Sequence, residues 1–386
     1  MKLFKIITLL VFCALTSVNA QTSKADKFKL SVDIKGLNST SSGYFFNDKS
    51  VSNGYTKVNF KINADKFTIE GNVPQPTLVK MYFSNNKLQK AVGTNSFIPT
   101  NATLLLFIAM PGKEIKVKGS ALDYINAYPY GDLENNTLSK LTKKLHPILN
   151  KSVNIEIKCS NDKTLSASKV EELKKQMSSL NEQANNIRLS FLKKHSSSIA
   201  GLWLLEDMLI RSQISMEVVE KHLKRVSSKY HSLDYYKDLK TRIDGYNSTK
   251  VGKHINLSTT NTLDGKPFDI KDLKGKYVLL DFWGTWCGAC CSGMPSLREF
   301  RDKHIDKLRV VAVNCGDSFK RWKSSKFTKT YNWIHIKSDK KANNFVNQFN
   351  VQGYPTKILI SPEGKILYRY VGEDPSLYNE IENLIK

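Results

Sequence analysis

The hydrophobic period of the chain changes twice. Between residue 28 and about 118, apolar and polar positions alternate, as at Leu30, Val32 and Ile34 and again at Val58, Phe60 and Ile62. A period of two belongs to strands with one face buried. Phe67-Thr68-Ile69 follows a turn at Asn63-Ala64-Asp65. Leu78 to Phe83 and Leu104 to Met110 are further apolar runs, and Pro111-Gly112 turns the chain before Ile115 and Val117. Short strands at this spacing predict a small antiparallel β-domain, sandwich-like, over residues 21–120. No catalytic constellation falls within it.

From about 121 to 248 the period becomes that of an α-helical region. Val170, Leu173, Met177, Leu180, Ala184, Ile187 and Phe191 recur at spacings of three and four, a heptad stripe. Such a stripe serves either as one face of a helix packed in its own bundle or as the seam of a homodimer. Ile199 to Ile210 is nearly all apolar and reads as the buried partner helix. Ser215 is placed to cap a further helix through Val218, Val219 and Leu223. A stretch rich in Asn, Ser, Thr and Gly at 247–253 marks the join to the last region of the chain.

From 249 to 386 strands and helices alternate. Asp264-Gly265 turns the chain before Phe268 and Ile270, and Tyr277 to Phe282 is a buried strand. Cys287 opens a helix reaching about His304, and Arg309 to Asn314 is a second buried strand. Lys340 to Asn350 reads as helix. Lys357 to Ile360 and Ile366 to Tyr370 read as strands joined at Ser361-Pro362-Glu363-Gly364, and Tyr378 to Ile385 as a closing helix. This order predicts an α/β layout around a central mixed sheet.

The start of the chain adds a cellular address. Met1-Lys2-Leu3-Phe4-Lys5 is basic, Ile6 to Leu15 is apolar, and Ser17-Val18-Asn19-Ala20 precedes Gln21. That is the layout of a signal peptide over 1–20, cut after Ala20 and too short to span a bilayer comfortably. Phe12 before Cys13 argues against lipidation there. The formal net charge is +24, lowered to +22 when Lys2 and Lys5 leave with the leader. The lysines are spread through every region, without the aromatic-and-basic signature of an RNA-binding surface. No nucleic acid is expected as a partner. A basic solvated surface with a weak peripheral attraction to an anionic membrane is.

Six cysteines are present. Without Cys13 there remain Cys159, Cys287, Cys290, Cys291 and Cys315, an odd number that argues against a purely structural disulfide framework. Three cluster in Trp286-Cys287-Gly288-Ala289-Cys290-Cys291, directly after the apolar strand. Cys-x-x-Cys between a buried strand and a helix is the layout of a redox-active dithiol. The first Cys gains thiolate stabilisation from the helix start. The second lies on the same face, near enough to close a disulfide. Zinc uses this spacing too but needs a second pair of ligands. Cys315, His304 and His335 are scattered singly and supply none, so no metal and no other cofactor is expected.

Asp281 interrupts the buried strand, where an unpaired carboxylate is costly. Its pKa should be raised, which suits it to relay the proton of Cys290. The alternative is a carboxylate that reaches water at the strand end. Trp283 and Trp286 are expected to pack around the dithiol as an apolar docking surface. Cys291 reads either as a small residue on the helix or as a regulatory thiol.

These residues belong to a longer set: Lys274-Gly275-Lys276, Leu280-Asp281-Phe282-Trp283, Trp286-Cys287-Gly288-Ala289-Cys290, Met294-Pro295, Val351-Gln352-Gly353-Tyr354-Pro355-Thr356 and Gly372. With them, the segment 249–386 resembles the exported TlpA-like and ResA-like thiol-disulfide oxidoreductases of thioredoxin fold. The whole layout resembles envelope proteins of Gram-negative bacteria, in which a small β-domain and a helical stretch precede the thioredoxin module. The resemblance implies Cys287 as an exposed nucleophile, Cys290 as the resolving thiol and Pro355 as a cis proline facing them. It implies that the backbone of Tyr354 pairs with an extended substrate segment, with Trp286, Gly353 and Thr356 beside it. Protein disulfides or dithiols as substrates, a periplasmic location and a membrane electron donor follow from the same resemblance.

Two departures stand out. Thioredoxins often carry a Lys next to the buried acid, but the neighbouring strand here reads Val311-Ala312-Val313, so that partner is expected to be absent. Cytochrome-maturation reductants of the family usually carry a Glu three residues after the second Cys, where this chain has Gly293. Two other functions stay open. One is a peroxidase, although Thr285 stands two rather than three residues before Cys287 and no Pro precedes it. The other is an envelope binding module whose β-domain and helices dock a partner.

Overall fold

The computed structural model describes residues 27–385, apart from 38–40, 50–53, 63, 86–87, 94–95, 340–343 and 375. The leader expected at 1–20, with Cys13, lies outside the described residues, as does the start of the helix expected from Lys340.

Eight strands build the two large sheets of the first unit: β1 (Lys27–Lys35), β2 (Ser42–Asn47), β3 (Tyr55–Phe60), β4 (Lys66–Asn72), β5 (Thr77–Phe83), β6 (Leu105–Ala109), β7 (Glu114–Ala121) and β8 (Ile125–Tyr130). They form two four-stranded sheets, ordered β8-β7-β1-β4 and β3-β2-β5-β6. Phe28, Leu30 and Val32 of one sheet share a core with Tyr44, Met81 and Phe107 of the other, which makes a sandwich. The pairing is not antiparallel throughout. β1 runs parallel to β7, with Val32 opposite Val117, and β8 carries the sheet past residue 120. β5 and β6 are buried on both faces because alternate residues point two ways. Val79, Met81, Leu105 and Phe107 enter the sandwich, while Leu78, Leu106 and Ile108 enter a second core.

That second core belongs to α1 (Leu133–Asn161), α2 (Ala167–His195), α3 (Ile199–Ile210), α4 (Met216–Leu223) and α5 (Asp234–Ser248). Asp132, Ser166, Ser198 and Ser215 cap the first four, each accepting a backbone N–H three residues on. The heptad stripe of α2 lies along α1 of the same chain, with Leu173, Ala184 and Phe191 buried. α3 is apolar on nearly every side and is buried accordingly.

The third unit contains β9 (Tyr277–Trp283), α6 (Gly288–Lys303), β10 (Leu308–Asn314), α7 (Phe319–Ser324), α8 (Lys326–Thr330), β11 (Ile334–Lys337), α9 (Phe345–Gln348), β12 (Thr356–Ile360), β13 (Ile366–Val371) and α10 (Ser376–Leu384). The sheet order is β11-β10-β9-β12-β13. β9, β10 and β11 are parallel, while β12 and β13 return antiparallel. This mixed sheet with helices on both faces is a thioredoxin fold. Leu280, Phe282, Val311 and Ile358 turn toward Phe345 and Phe349. Leu279, Val310 and Leu359 turn the other way, toward Leu297 of α6 and Leu377 of α10. Ala312, Asp281 and Lys357 stand in register across β10, β9 and β12 on that second face.

Candidate active site

β9 ends at Trp283, and Gly284-Thr285-Trp286 carries the chain across the end of the sheet toward α6. Hydrogen bonds fix this crossing. Asp317, in the loop after β10, accepts from the Thr285 amide at 2.8 Å and from its hydroxyl at 2.6 Å. Trp286 Nε1 donates to the Cys315 carbonyl at 2.9 Å. A Cβ at Gly284 would stand 2.4 Å from Trp286 Nε1, so only glycine lets the ring close down there.

Cys287 caps α6, its Sγ accepting the Cys290 amide at 3.2 Å. Cys287 and Cys290 are joined as a disulfide, with Cα atoms 5.3 Å apart. When that bond opens, the N–H groups of the helix start favour a thiolate at Cys287. The expected openness of Cys287 is corrected: it is 7% exposed in this disulfide form, enclosed with Trp283, Met294, Trp322 and Tyr354. Trp283 is fully buried too, so of the two tryptophans only the half-exposed Trp286 presents its ring to solvent.

The Tyr354–Pro355 peptide bond is cis. The Tyr354 ring packs edge-on against Trp286, centroids 5.0 Å apart, and burial pushes its phenol pKa up. Thr356 is buried, and its hydroxyl donates to the Gly353 carbonyl at 2.8 Å. The expectation of Thr356 as a substrate contact is therefore corrected. Its side chain turns inward and shapes the loop Gly353–Pro355.

Behind the disulfide lies a buried charge cluster. Ala312 packs with Cys290 and Met294, and Asp281 is its register neighbour on the same face. Asp281 and Lys357 are each 2% exposed, with Oδ1 and Nζ 3.6 Å apart. Lys357 also donates to Glu373 Oε2 at 2.5 Å, and the Tyr378 hydroxyl donates to Glu373 Oε1 at 3.3 Å. Burial raises the Asp281 pKa, Lys357 pulls it back and Glu373 pushes it up again. Desolvation wins because Asp281 Oδ1 has no hydrogen-bond partner and its cation stands beyond hydrogen-bond length. The expected absence of a lysine is thus corrected. The partner comes from β12, the antiparallel neighbour, and not from β10. Asp281 is nearly closed off from water, at 2% exposure.

Glu373 was not among the expected site residues. A Cβ at Gly293 would stand 2.2 Å from the Glu373 carboxyl carbon and 2.5 Å from each oxygen. Gly293 lies one turn beyond Cys290 in α6. A carboxylate delivered from the loop after β13 therefore fills the space beside Gly293. The available signal was the glycine itself. Gly inside a helix costs about 1 kcal/mol relative to Ala and marks a close approach.

Cys291 is half-buried, its thiol 3.9 Å from the Gly284 carbonyl and 4.0 Å from that of Thr285. Burial and Asp317 push its pKa up, against Lys326. A thiol held protonated is a poor nucleophile. Cys315 is buried, and Cys159 is half-buried on α1.

Residues 250–385 match the Redoxin family. A thiol-disulfide oxidoreductase ResA of Bacillus cereus is 32% identical over 125 residues, which cover 32% of this chain and 71% of that protein. The chain belongs to the ResA-like thiol-disulfide oxidoreductases. The thioredoxin-like protein YneN of Bacillus subtilis is 40% identical over 113 residues, 29% of this chain and 65% of that one. Among solved structures, the thioredoxin domain of a thiol-disulfide oxidoreductase from Bacteroides vulgatus is 26% identical, with a TM-score of 0.31, covering 36% of this chain and 98% of that one. The protein is accordingly an enzyme, a thiol-disulfide oxidoreductase, and its family match begins at residue 250.

Proposed function

We propose that this ResA-like enzyme is exported and exchanges the disulfides of protein substrates in the cell envelope, with Cys287 attacking and Cys290 resolving. The Cys287–Cys290 disulfide at the start of α6, backed by buried Asp281, carries this reading. In the reducing direction the Cys287 thiolate attacks one sulfur of a substrate disulfide. That bond breaks, a mixed disulfide forms on Cys287, and the other substrate sulfur leaves as a thiolate. Cys290 then attacks Cys287 Sγ, closes the enzyme disulfide and releases the second substrate thiol. Two electrons pass from the enzyme dithiol to the substrate.

Cys290 must lose a proton to attack. The Asp281 carboxylate takes it, Lys357 steadies the charge, and Glu373, the less buried acid, hands the proton on toward water. The backbone at Tyr354 and Gly353, beside Trp286, offers an extended polypeptide a strand to pair with. A membrane electron carrier would return the enzyme to its dithiol form. The leader pattern of residues 1–20 supports export. Among the described residues no helix is long and apolar enough to cross a membrane. The positive charge favours peripheral contact with an anionic membrane.

A trapping experiment tests the reading. Reduced Cys290→Ala enzyme, mixed with a disulfide-bonded polypeptide, should accumulate a covalent adduct on Cys287 that dithiothreitol releases. Cys287→Ala enzyme should form none. If Cys290→Ala forms no adduct either, the proposed chemistry is wrong.

A further inference from the structure

A cleft of about 610 Å3 opens between the helical unit and the thioredoxin unit, beside the loop that leads to Pro355. Tyr246 of α5 and Val251 just beyond it form one wall, and Gln352, Arg369 and Val371 form the other. The walls are fixed to each other. Arg242 of α5 donates to the Val351 carbonyl at 3.2 Å, and Asp238 accepts from Asn347 Nδ2 at 2.9 Å. Arg369 Nη2 donates to the Phe349 carbonyl at 2.7 Å and to the Thr249 hydroxyl at 3.3 Å. α5 comes so near that a Cβ at Gly245 would stand 2.2 Å from the Gln348 carbonyl oxygen. These contacts land on 347–351, immediately before the loop Gln352–Pro355. The helical unit therefore sets where that loop stands.

The cleft borders the loop that carries the redox site, since Gln352, which lines it, precedes Gly353 and Tyr354. Trp286, half exposed, touches Tyr354. The space a side chain would take at Gly353 is closed by Val371, whose Cγ1 is 2.8 Å from the position of a Cβ. Val371 is 53% exposed and Val251 is 64% exposed, and both line the cleft. Exposed apolar side chains in a cleft, rimmed by polar ones, mark a binding surface.

We propose that this cleft is the outer half of the substrate site and takes an extended polypeptide segment flanking the substrate cysteine. The proposal rests on the exchange reading above. A polypeptide paired with the backbone at Tyr354 continues past Gly353 and Val371 into the cleft. A small disulfide reaches Cys287 and leaves the cleft empty. The helical unit thereby makes the enzyme selective for polypeptide disulfides.

The test uses the full chain, with dithiothreitol as reductant and two substrates, insulin and oxidised glutathione. Val251→Asp and Val371→Asp each place a charge on one wall of the cleft, and thermal unfolding confirms that each variant folds. Each should raise the KM for insulin about tenfold with kcat retained, a loss of about 1.4 kcal/mol of binding. The kcat/KM for oxidised glutathione should move far less. An equal fall on both substrates, or no change on either, overturns the cleft proposal and leaves the exchange reading standing. An unmodified enzyme that turns over neither substrate brings down both.

Discussion

The helical unit and the thioredoxin unit both bury acidic and amide side chains, and they treat them differently. In the helical unit Glu134 accepts from the Ile199 amide at 2.9 Å and from the Tyr230 hydroxyl at 2.5 Å. Asn135 accepts from the Ile108 amide at 2.8 Å and donates to its carbonyl at 2.9 Å. These groups pin α1 to a strand and to its neighbouring helix. Asp281 is just as buried, but its Oδ1 has no hydrogen bond and faces Lys357 across 3.6 Å. A satisfied buried group stabilises the fold. A buried carboxylate whose desolvation outweighs its pairing is biased toward its protonated form and can trade a proton with a neighbour. The contrast separates structural polar burial from chemical polar burial within one chain.

Substitutions on the two sides can break that contrast. Cys287→Ser should abolish disulfide exchange while leaving the fold intact, as measured by insulin reduction and thermal unfolding. Asp281→Asn comes next. It should slow the resolving step about 100-fold, read as slower release of substrate from the mixed disulfide. It should also relieve the desolvation that the buried carboxylate suffers at neutral pH. The sign of the pH dependence follows from the raised folded-state pKa. The unmodified enzyme keeps its full stability below the ordinary aspartate range and loses some as pH rises through the raised value. Urea unfolding across that range should show a flatter curve for Asp281→Asn, and an unchanged curve would place Asp281 on the structural side.

Glu134→Ala should do the reverse. It leaves the Ile199 amide and the Tyr230 hydroxyl unpaired, costs about 2 kcal/mol in urea unfolding and leaves the rate of exchange alone. Glu373→Gln removes a negative neighbour that raises the Asp281 pKa. The pH profile of exchange should therefore shift toward acid, and a profile that stays in place would remove Glu373 from the proton path. Cys291→Ala should have the smallest effect, with exchange close to that of the unmodified enzyme, because a half-buried thiol with a raised pKa contributes little nucleophile.

Much of this was legible in the sequence because period and punctuation are local. Ile199–Ile210 emerged as a buried helix, Ser215 as a cap, and the strand before Cys287 as a core strand. The dithiol was legible because its spacing is itself the chemistry. What stayed hidden depends on which strands become neighbours. Lys357 was invisible as a partner of Asp281 because it arrives on an antiparallel strand from much later in the chain. The parallel pairing of β1 with β7 was hidden for the same reason. Glu373 was hidden because nothing near Cys290 names it except the glycine that makes room. Thr356 and Trp283 had the expected identities but turned inward, a matter of which face of the sheet a position takes.

The most direct test of the dithiol as the working centre is a redox-buffer titration of the full chain, following the Cys287–Cys290 pair. One two-electron transition is expected, which persists in Cys291→Ala and vanishes in Cys287→Ser. A pair that does not titrate, or a transition that survives Cys287→Ser, would contradict it.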